Sequence, residues 1–198
     1  MLVLASASPR RAETLRRLGL AFHHVAPQVE EAVEPGLAPA EVARLLARAK
    51  AEAVAADVAE GWVLGADTIV WCEGEPLGKP ASAKEALATL LKLNGRAHDV
   101  YTGVCVARRP DGKLFEHVER TTVRFARVPE PTLEAYVETG EPLGKAGAYA
   151  VQGIAAAFIE EVRGSVDNVV GLPIRPTVQL LARAGFPLPA HLGQGAQP

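Results

Sequence analysis

The sequence predicts an α/β fold, a mixed β-sheet flanked by helices, and three observations predict it. From Leu2 to Gly95, short apolar segments rich in β-formers alternate with segments of helical periodicity. Two long extended segments then meet across Pro110-Asp111-Gly112, which is strong turn chemistry, so the sheet is expected to be mixed rather than purely parallel. Finally, 198 residues with 48% hydrophobic and 22% charged side chains can bury a sizeable core without disulfide or metal staples.

The elements follow in order. LVLAS at the start reads as a strand; Ser8 and Pro9 then open a helix with apolar positions at Leu15, Leu18 and Leu20, ending at Gly19. A strand is expected around Phe22 to Ala26. After the loop PQVEEAVEPGLAP, the run AEVARLLARAKAEAVAADVAEG, rich in the best helix formers, predicts the longest helix. GWVLGADTIVWCEG is a buried-strand pattern, and Ser82 to Leu93 a helix stopped by Asn94 and Gly95. The hairpin pairs AHDVYTGVCVARR with KLFEHVERTTVRFARV. A helix from Glu130 to Glu138, an irregular GEPLGKAGAY loop, a strand in IAAAFIEEV and a helix near Thr177 to Ala184 complete the chain. Residues 1–190 read as one domain and 191–198 as a flexible tail.

Charge narrows the function classes. Lys and Arg number 21 against 23 Asp and Glu, a net charge of −2, so no overall basic field favours nucleic acid. Cys72 and Cys105 each sit in an apolar stretch with no CxxC and no clustered His, which reads as buried free thiols in a reducing compartment. The opening MLVLASASPRR lacks the order of a signal peptide, and no segment approaches the ~20 apolar residues that span a bilayer. The expectation is a cytoplasmic protein with neither nucleic acid nor membrane as partner.

The chemistry concentrates in a few segments. In Ser6-Ala7-Ser8-Pro9-Arg10-Arg11, Ser8 suits the N-cap and Pro9 the first helical position, so hydroxyls, guanidinium groups and the positive end of a helix dipole converge on one point. Such a turn attracts phosphate. Asp67, in Gly65-Ala66-Asp67-Thr68, stands toward the carboxyl end of a buried strand, where α/β sheets place ligands; it could accept a proton from water, hold a divalent metal or cap the next turn. Glu30 and Glu31 are hard oxygen donors of the kind magnesium or manganese takes when bridging to phosphates. Lys50, Lys79 and Lys145 are further candidate phosphate cations, each of which taken singly also reads as plain surface charge. The segment EPLGK occurs twice, at 75–79 and 141–145; coincidence is one reading, and two lobes each offering a cation to one anion the other. Gln152, between small residues, can present a donor and an acceptor to a base edge. His98 reads as a structural histidine satisfied by backbone.

Taken together, SASPRR, VEE, LARAKAEA, LGADTIV, LGKP, GRAHDVYTGV, KAGAYAVQG and GSVDNVVGLPI resemble, in order and over nearly the whole chain, the Maf family, nucleotide pyrophosphatases once described as septum-formation inhibitors. The resemblance implies a fold of the Maf and inosine-triphosphate-pyrophosphatase kind, with two lobes around a central cleft. It implies hydrolysis of a nucleoside triphosphate between its α and β phosphates with a divalent cation, magnesium or manganese, and a homodimer. Arg10, Thr68 and Gln152 stand where the dTTP and UTP branch carries Arg, Thr and Gln; the branch similar to 7-methyl-GTP pyrophosphatases has Trp in place of Arg10. Gly144 departs from the acidic residue that many members place before Lys-Ala-Gly.

What the resemblance implies for roles is specific. Arg10, Arg11, Lys50 and Lys79, with Ser6, Ser8 and Lys145, are to hold the triphosphate; Glu31, Glu30 and Asp67 are to hold the metal, Asp67 also being the candidate for activating water. Thr68 and Gln152 are to read the pyrimidine, including modified pyrimidines in a house-cleaning role. The reading of another class is a regulatory protein of cell division or septum formation that senses a nucleotide without cleaving it; such a sensor needs the cations but not Asp67.

Overall fold

The computed structural model describes residues 1–29 and 36–193 of the chain. Seven strands run β1 (Leu2–Ala5), β2 (His23–Val25), β3 (Gly61–Cys72), β4 (Glu75–Leu77), β5 (Ala97–Arg109), β6 (Leu114–Phe125) and β7 (Ile159–Arg163). The helices are α1 (Pro9–Arg17), α2 (Pro39–Ala55), α3 (Ala83–Leu93), α4 (Glu130–Glu138), α5 (Val166–Val170), α6 (Ile174–Arg183) and α7 (Ala190–Gly193). One mixed sheet has the order β2-β1-β3-β5-β6-β7, with β4 folded back antiparallel on β3. β1 is parallel to β2 and to β3, while β7 is antiparallel to β6.

The chain forms two compact units. The first comprises Met1–Asp67, Thr102–Glu119 and Gly171–Pro198. Strands β1, β3 and β5 are buried there on both faces and alternate between two cores, as the period of 2 along a strand requires, whereas β2 is exposed. Leu2, Leu4, Leu64, Ala66, Val104 and Val106 face one core with Leu15 of α1 and Leu180 and Leu181 of α6. Val3, Ala5, Val63, Cys105 and Ala107 face the other with Ala47, Ala51 and Val54 of α2. The second unit comprises Thr68–Tyr101 and Arg120–Val170. Its core gathers Leu90 and Leu93 of α3, Leu133 and Tyr136 of α4, Val123 and Phe125 of β6, and Tyr149 and Phe158 from the chain between α4 and β7.

In the first unit, helix α2 lies unusually close to the sheet. A methyl group added at Gly65 would meet the Ala51 amide nitrogen at 2.6 Å and the Ala51 side chain at 2.9 Å. One added at Gly103 would run into the Ala43 carbonyl and come within 2.9 Å of the Arg44 nitrogen. Ala43, Ala47 and Ala51, each fully buried, repeat every fourth residue along this face. Glycine on the strands and alanine on the helix thus let backbone approach backbone.

Most sequence expectations hold, and the differences have local causes. IAAAFIEEV is a strand only from Ile159; Ile154–Phe158 form a 3-10 turn whose first amides, Ile154 N and Ala155 N, donate to the Glu141 carboxylate. That partner lies outside the local pattern. Helix α5 was not expected, although Ser165 accepts from the Asn168 amide at 3.3 Å in the manner of an N-cap. Strand β4, three residues long, was also missed. Both cysteines are buried and free, and burial raises both thiols, Cys105 to about 12. No helix of the described residues is long and apolar enough to cross a membrane. Of the expected tail, residues 194–198 lie outside the described residues.

His98 is structural, but its partner is a side chain rather than backbone. Its Nε2 shares a 2.8 Å hydrogen bond with the Tyr149 hydroxyl, and His98, Phe125 and Tyr149 stack edge to face with centroids 5.0–5.4 Å apart. Burial pushes the imidazole down to about 4, against the opposing pull of the Asp99 carboxylate.

Two outcomes follow. Gly103→Ala should cost about 1–3 kcal/mol by overpacking α2 on the sheet, read as a Tm lowered by ~2–4 °C for each kcal/mol. For His98, the unfolded chain binds the proton at higher pH than the folded one, so acidification from pH 6.5 to about 4 favours unfolding. Denaturant titrations of wild type and His98→Gln across that window should differ by up to about 3 kcal/mol, the variant losing less stability toward low pH.

Candidate active site

Strands β2 and β1 end at Val25 and Ala5 in the first unit, where open α/β sheets place ligands, whereas β3 runs on past its pairing with β1 to Cys72, so that Asp67, expected toward the carboxyl end of its strand, stands at its middle. From β1 the chain enters the Ser6–Arg11 turn, and two residues past the Ala5–Gly65 pairing on β3 stands Asp67. Glu30 and Glu31 lie outside the described residues.

The turn is built around the buried hydroxyl of Ser6, which accepts from the Ser8 amide at 3.1 Å and from Arg11 Nη1 at 3.2 Å. The Ser6 amide donates to the Val25 carbonyl at 3.0 Å, and the ring of His24 hydrogen-bonds the Ser6 carbonyl. Ser8 occupies the N-cap with extended backbone and Pro9 follows it, as expected, but the Ser8 side chain makes no capping bond to the helix. Arg11 is buried, and its Nε donates to the Gly171 carbonyl at 2.7 Å. Its guanidinium therefore ties the turn to the Gly171 carbonyl as well as carrying charge. Arg10 is half-buried, which lowers the pKa of a group that nonetheless stays cationic.

Lys50 and Asp67, separate candidates in the sequence, form a buried ion pair: Lys50 Nζ lies 2.5 Å from Asp67 Oδ1, and each side chain is 9% exposed. Gly65 and Asp67 share the α2-facing side of β3, so the close approach at Gly65 is what brings Lys50 within reach. Strand alternation turns half-buried Thr68 to the opposite face.

The second unit holds Thr68, Lys79, Lys145 and Gln152. The two EPLGK segments lie side by side within it: Gly144 N donates to Pro80 O and Gly147 N to Gly78 O, each at 3.2 Å. The two carbonyls flank Lys79. The echo is therefore not one lysine from each of two units, but two lysine loops tied backbone to backbone in one. Lys145 Nζ donates to the Glu141 carbonyl, and Gln152 is exposed. Gly147 has φ +72°, and a methyl group there would crowd Val70 at 3.0 Å, so glycine is required on both counts.

Sequence reasoning missed His24, Glu141 and Tyr149. His24 is found only from the β1–β2 register, and Glu141 only from where its chain returns at Ile154. For a metal, the donor set is the test. Among the described residues, no group of three His, Cys, Asp or Glu side chains gathers. A divalent ion bridging to phosphates needs only one or two protein carboxylates, a requirement that Asp67 fits.

The family model described as Maf-like protein matches residues 1–184. A protein of Anaeromyxobacter dehalogenans (strain 2CP-C), named dTTP/UTP pyrophosphatase, is 52% identical over 190 residues, covering 95% of this chain and 96% of its own. Proteins of the same name from Symbiobacterium thermophilum and Acinetobacter baylyi are 49% and 43% identical, over 94% and 91% of this chain and 95% and 97% of theirs. A solved structure of the Staphylococcus aureus Ham1 protein aligns with TM-score 0.48 and 17% identity, covering 79% of this chain and 90% of that one. With its family matched from the first strand through the last turn of α6 and relatives about half identical along almost their full length, the chain belongs to the Maf-like proteins.

Proposed function

We infer that this chain hydrolyses dTTP and UTP between the α and β phosphates, giving the nucleoside monophosphate and pyrophosphate. The observation that carries the reading is the buried Asp67–Lys50 pair midway along β3, two residues past the point where β1 stops pairing with that strand and enters the cationic turn. Relatives named dTTP/UTP pyrophosphatase support the choice of substrate.

In this reading Arg10, Arg11, Lys50 and Lys79, with Ser6, Ser8 and Lys145, bind the triphosphate. Lys50 fixes Asp67 through Oδ1, so water is oriented, and its proton accepted, at Oδ2. Water adds to the α phosphorus as the bond to the bridging oxygen breaks, and the β and γ phosphates leave as pyrophosphate. Charge builds on that leaving group, so cations placed there stabilise the transition state more than the ground state. Asp67, with Glu31 and Glu30, would hold a divalent cation, which would supply further neutralisation of the phosphate oxygens. Thr68 and Gln152 read the pyrimidine edge, because a donor or acceptor that a bound base covers and leaves unpaired costs about 1–3 kcal/mol. The family resemblance supports a homodimer, and two buried free cysteines support a reducing, cytoplasmic compartment.

Pyrophosphate release from dTTP, UTP, CTP, GTP, ITP and 7-methyl-GTP, with and without magnesium or manganese, tests the reading. Metal-dependent release favouring dTTP and UTP is expected; binding without release from any of them would move the protein to the class of nucleotide sensors. Asp67→Asn should lower kcat by about 100-fold or more. It also leaves the buried Lys50 ammonium facing an amide, a loss of about 3–5 kcal/mol, so turnover is compared where circular dichroism shows both proteins folded. Turnover within tenfold of wild type would remove Asp67 from the chemistry. Arg10→Trp should shift the ratio of kcat/KM for dTTP over 7-methyl-GTP downward by about tenfold; an unchanged ratio would break the branch assignment through Arg10.

A further inference from the structure

Glu141, at the head of the second EPLGK segment, is tied to more of the loop than any other side chain there. Its Oε1 accepts from the Tyr136 hydroxyl at 2.8 Å and from the Ala155 amide at 3.3 Å, and its Oε2 from the Ile154 amide at 3.0 Å. Its own amide donates to Thr139 Oγ1 at 3.2 Å, and its carbonyl accepts from Lys145 Nζ. One residue thus joins the end of α4, the Lys145 ammonium and the two amides that follow Gln152-Gly153.

Gly153 is cut to fit this arrangement. A methyl group there would stand 2.5 Å from Glu141 Cδ and Oε1, so the carboxylate can close over the turn only because residue 153 has no side chain. Burial works to raise the Glu141 carboxyl, yet the Ile154 amide, the Tyr136 hydroxyl, the Ala155 amide and Lys145 together hold it below the usual range. It stays an acceptor-only group, which is what three donors converging on it require.

We propose that Glu141 is a positioning residue for substrate selection, a clasp whose carbonyl sets Lys145 and whose carboxylate sets the backbone carrying Gln152. The proposal rests on the reading of Lys145 and Gln152 as substrate groups given above. Glu141 acts through them and touches neither water nor phosphorus, so its loss changes binding and base preference more than bond cleavage.

The test is Glu141→Gln, which keeps size and polarity but turns one acceptor oxygen into a donor facing a donor. A second variant, Gly153→Ala, pushes the unaltered carboxylate off the turn. For both, KM for dTTP and UTP should rise about tenfold while kcat falls less than about twofold, and the kcat/KM preference for dTTP over CTP should fall about tenfold. Binding of α,β-imido-dTTP by calorimetry should weaken by the same factor, with circular dichroism confirming the fold. Unchanged KM and base preference in either folded variant overturn the proposal, as does a fall in kcat at constant KM. If Gln fails to fold, Gly153→Ala decides alone. Wild-type protein that neither binds the analogue nor releases pyrophosphate would refute the function itself, and the proposal with it, a result distinct from a variant-only null.

Discussion

The contact of helix α2 with strands β3 and β5 is the constraint on which the first unit depends. Three alanines a turn apart meet two glycines across the sheet, and no side chain stands between the backbones. An ordinary helix on an ordinary sheet would hold Lys50 farther from the strand. Here a four-carbon side chain starting from the helix's buried flank meets a carboxylate on the strand and is sealed from water with it. The energetic weight of the pair lies in its being complete: attraction offsets the desolvation of both charges, whereas either charge alone would be a large penalty. Packing of the smallest residues thus sets the geometry of the most polar ones.

The second unit solves its positioning problem differently. Where α2 relies on close packing, the 141–155 segment relies on hydrogen bonds to backbone, with positive-φ glycines at 144 and 147 and a carboxylate as the local anchor. Beneath it, His98, Phe125 and Tyr149 form an aromatic platform that fixes where the loop begins its return. A segment held by directed bonds over a rigid floor can be altered in register by a single substitution without disturbing the apolar core below.

How much of this was legible depends on whether the cause is local. The strands buried on two faces, the helix start at Ser8-Pro9 and the stop at Asn94-Gly95 are properties of neighbouring residues, and the sequence yields them directly. So is the cluster at Ser6 to Arg11, although the way Ser6 organises it, by accepting from Ser8 and Arg11, needs the folded turn. Lys50 and Asp67 were each visible as candidates; that they pair was not, because the pairing depends on the depth of α2. The 3-10 turn at 154–158 was read as strand because its cap comes from Glu141, thirteen residues upstream of Ile154. Apolar and Ala-rich segments have no strong preference of their own, so a distant acceptor decides them.

The bond from Arg11 to the Gly171 carbonyl spans 160 residues of chain. It means that the Ser6–Arg11 turn is completed by a carbonyl that is synthesised 160 residues after Arg11. A nascent chain emerging from the ribosome would carry Ser6, Arg10 and Arg11 long before the carbonyl that fixes them exists, since domains fold as units and non-local contacts form late. Truncated products of interrupted translation would accordingly hold the residues of the turn without its finished geometry, and a chain shortened ahead of Gly171 is incapable of assembling it.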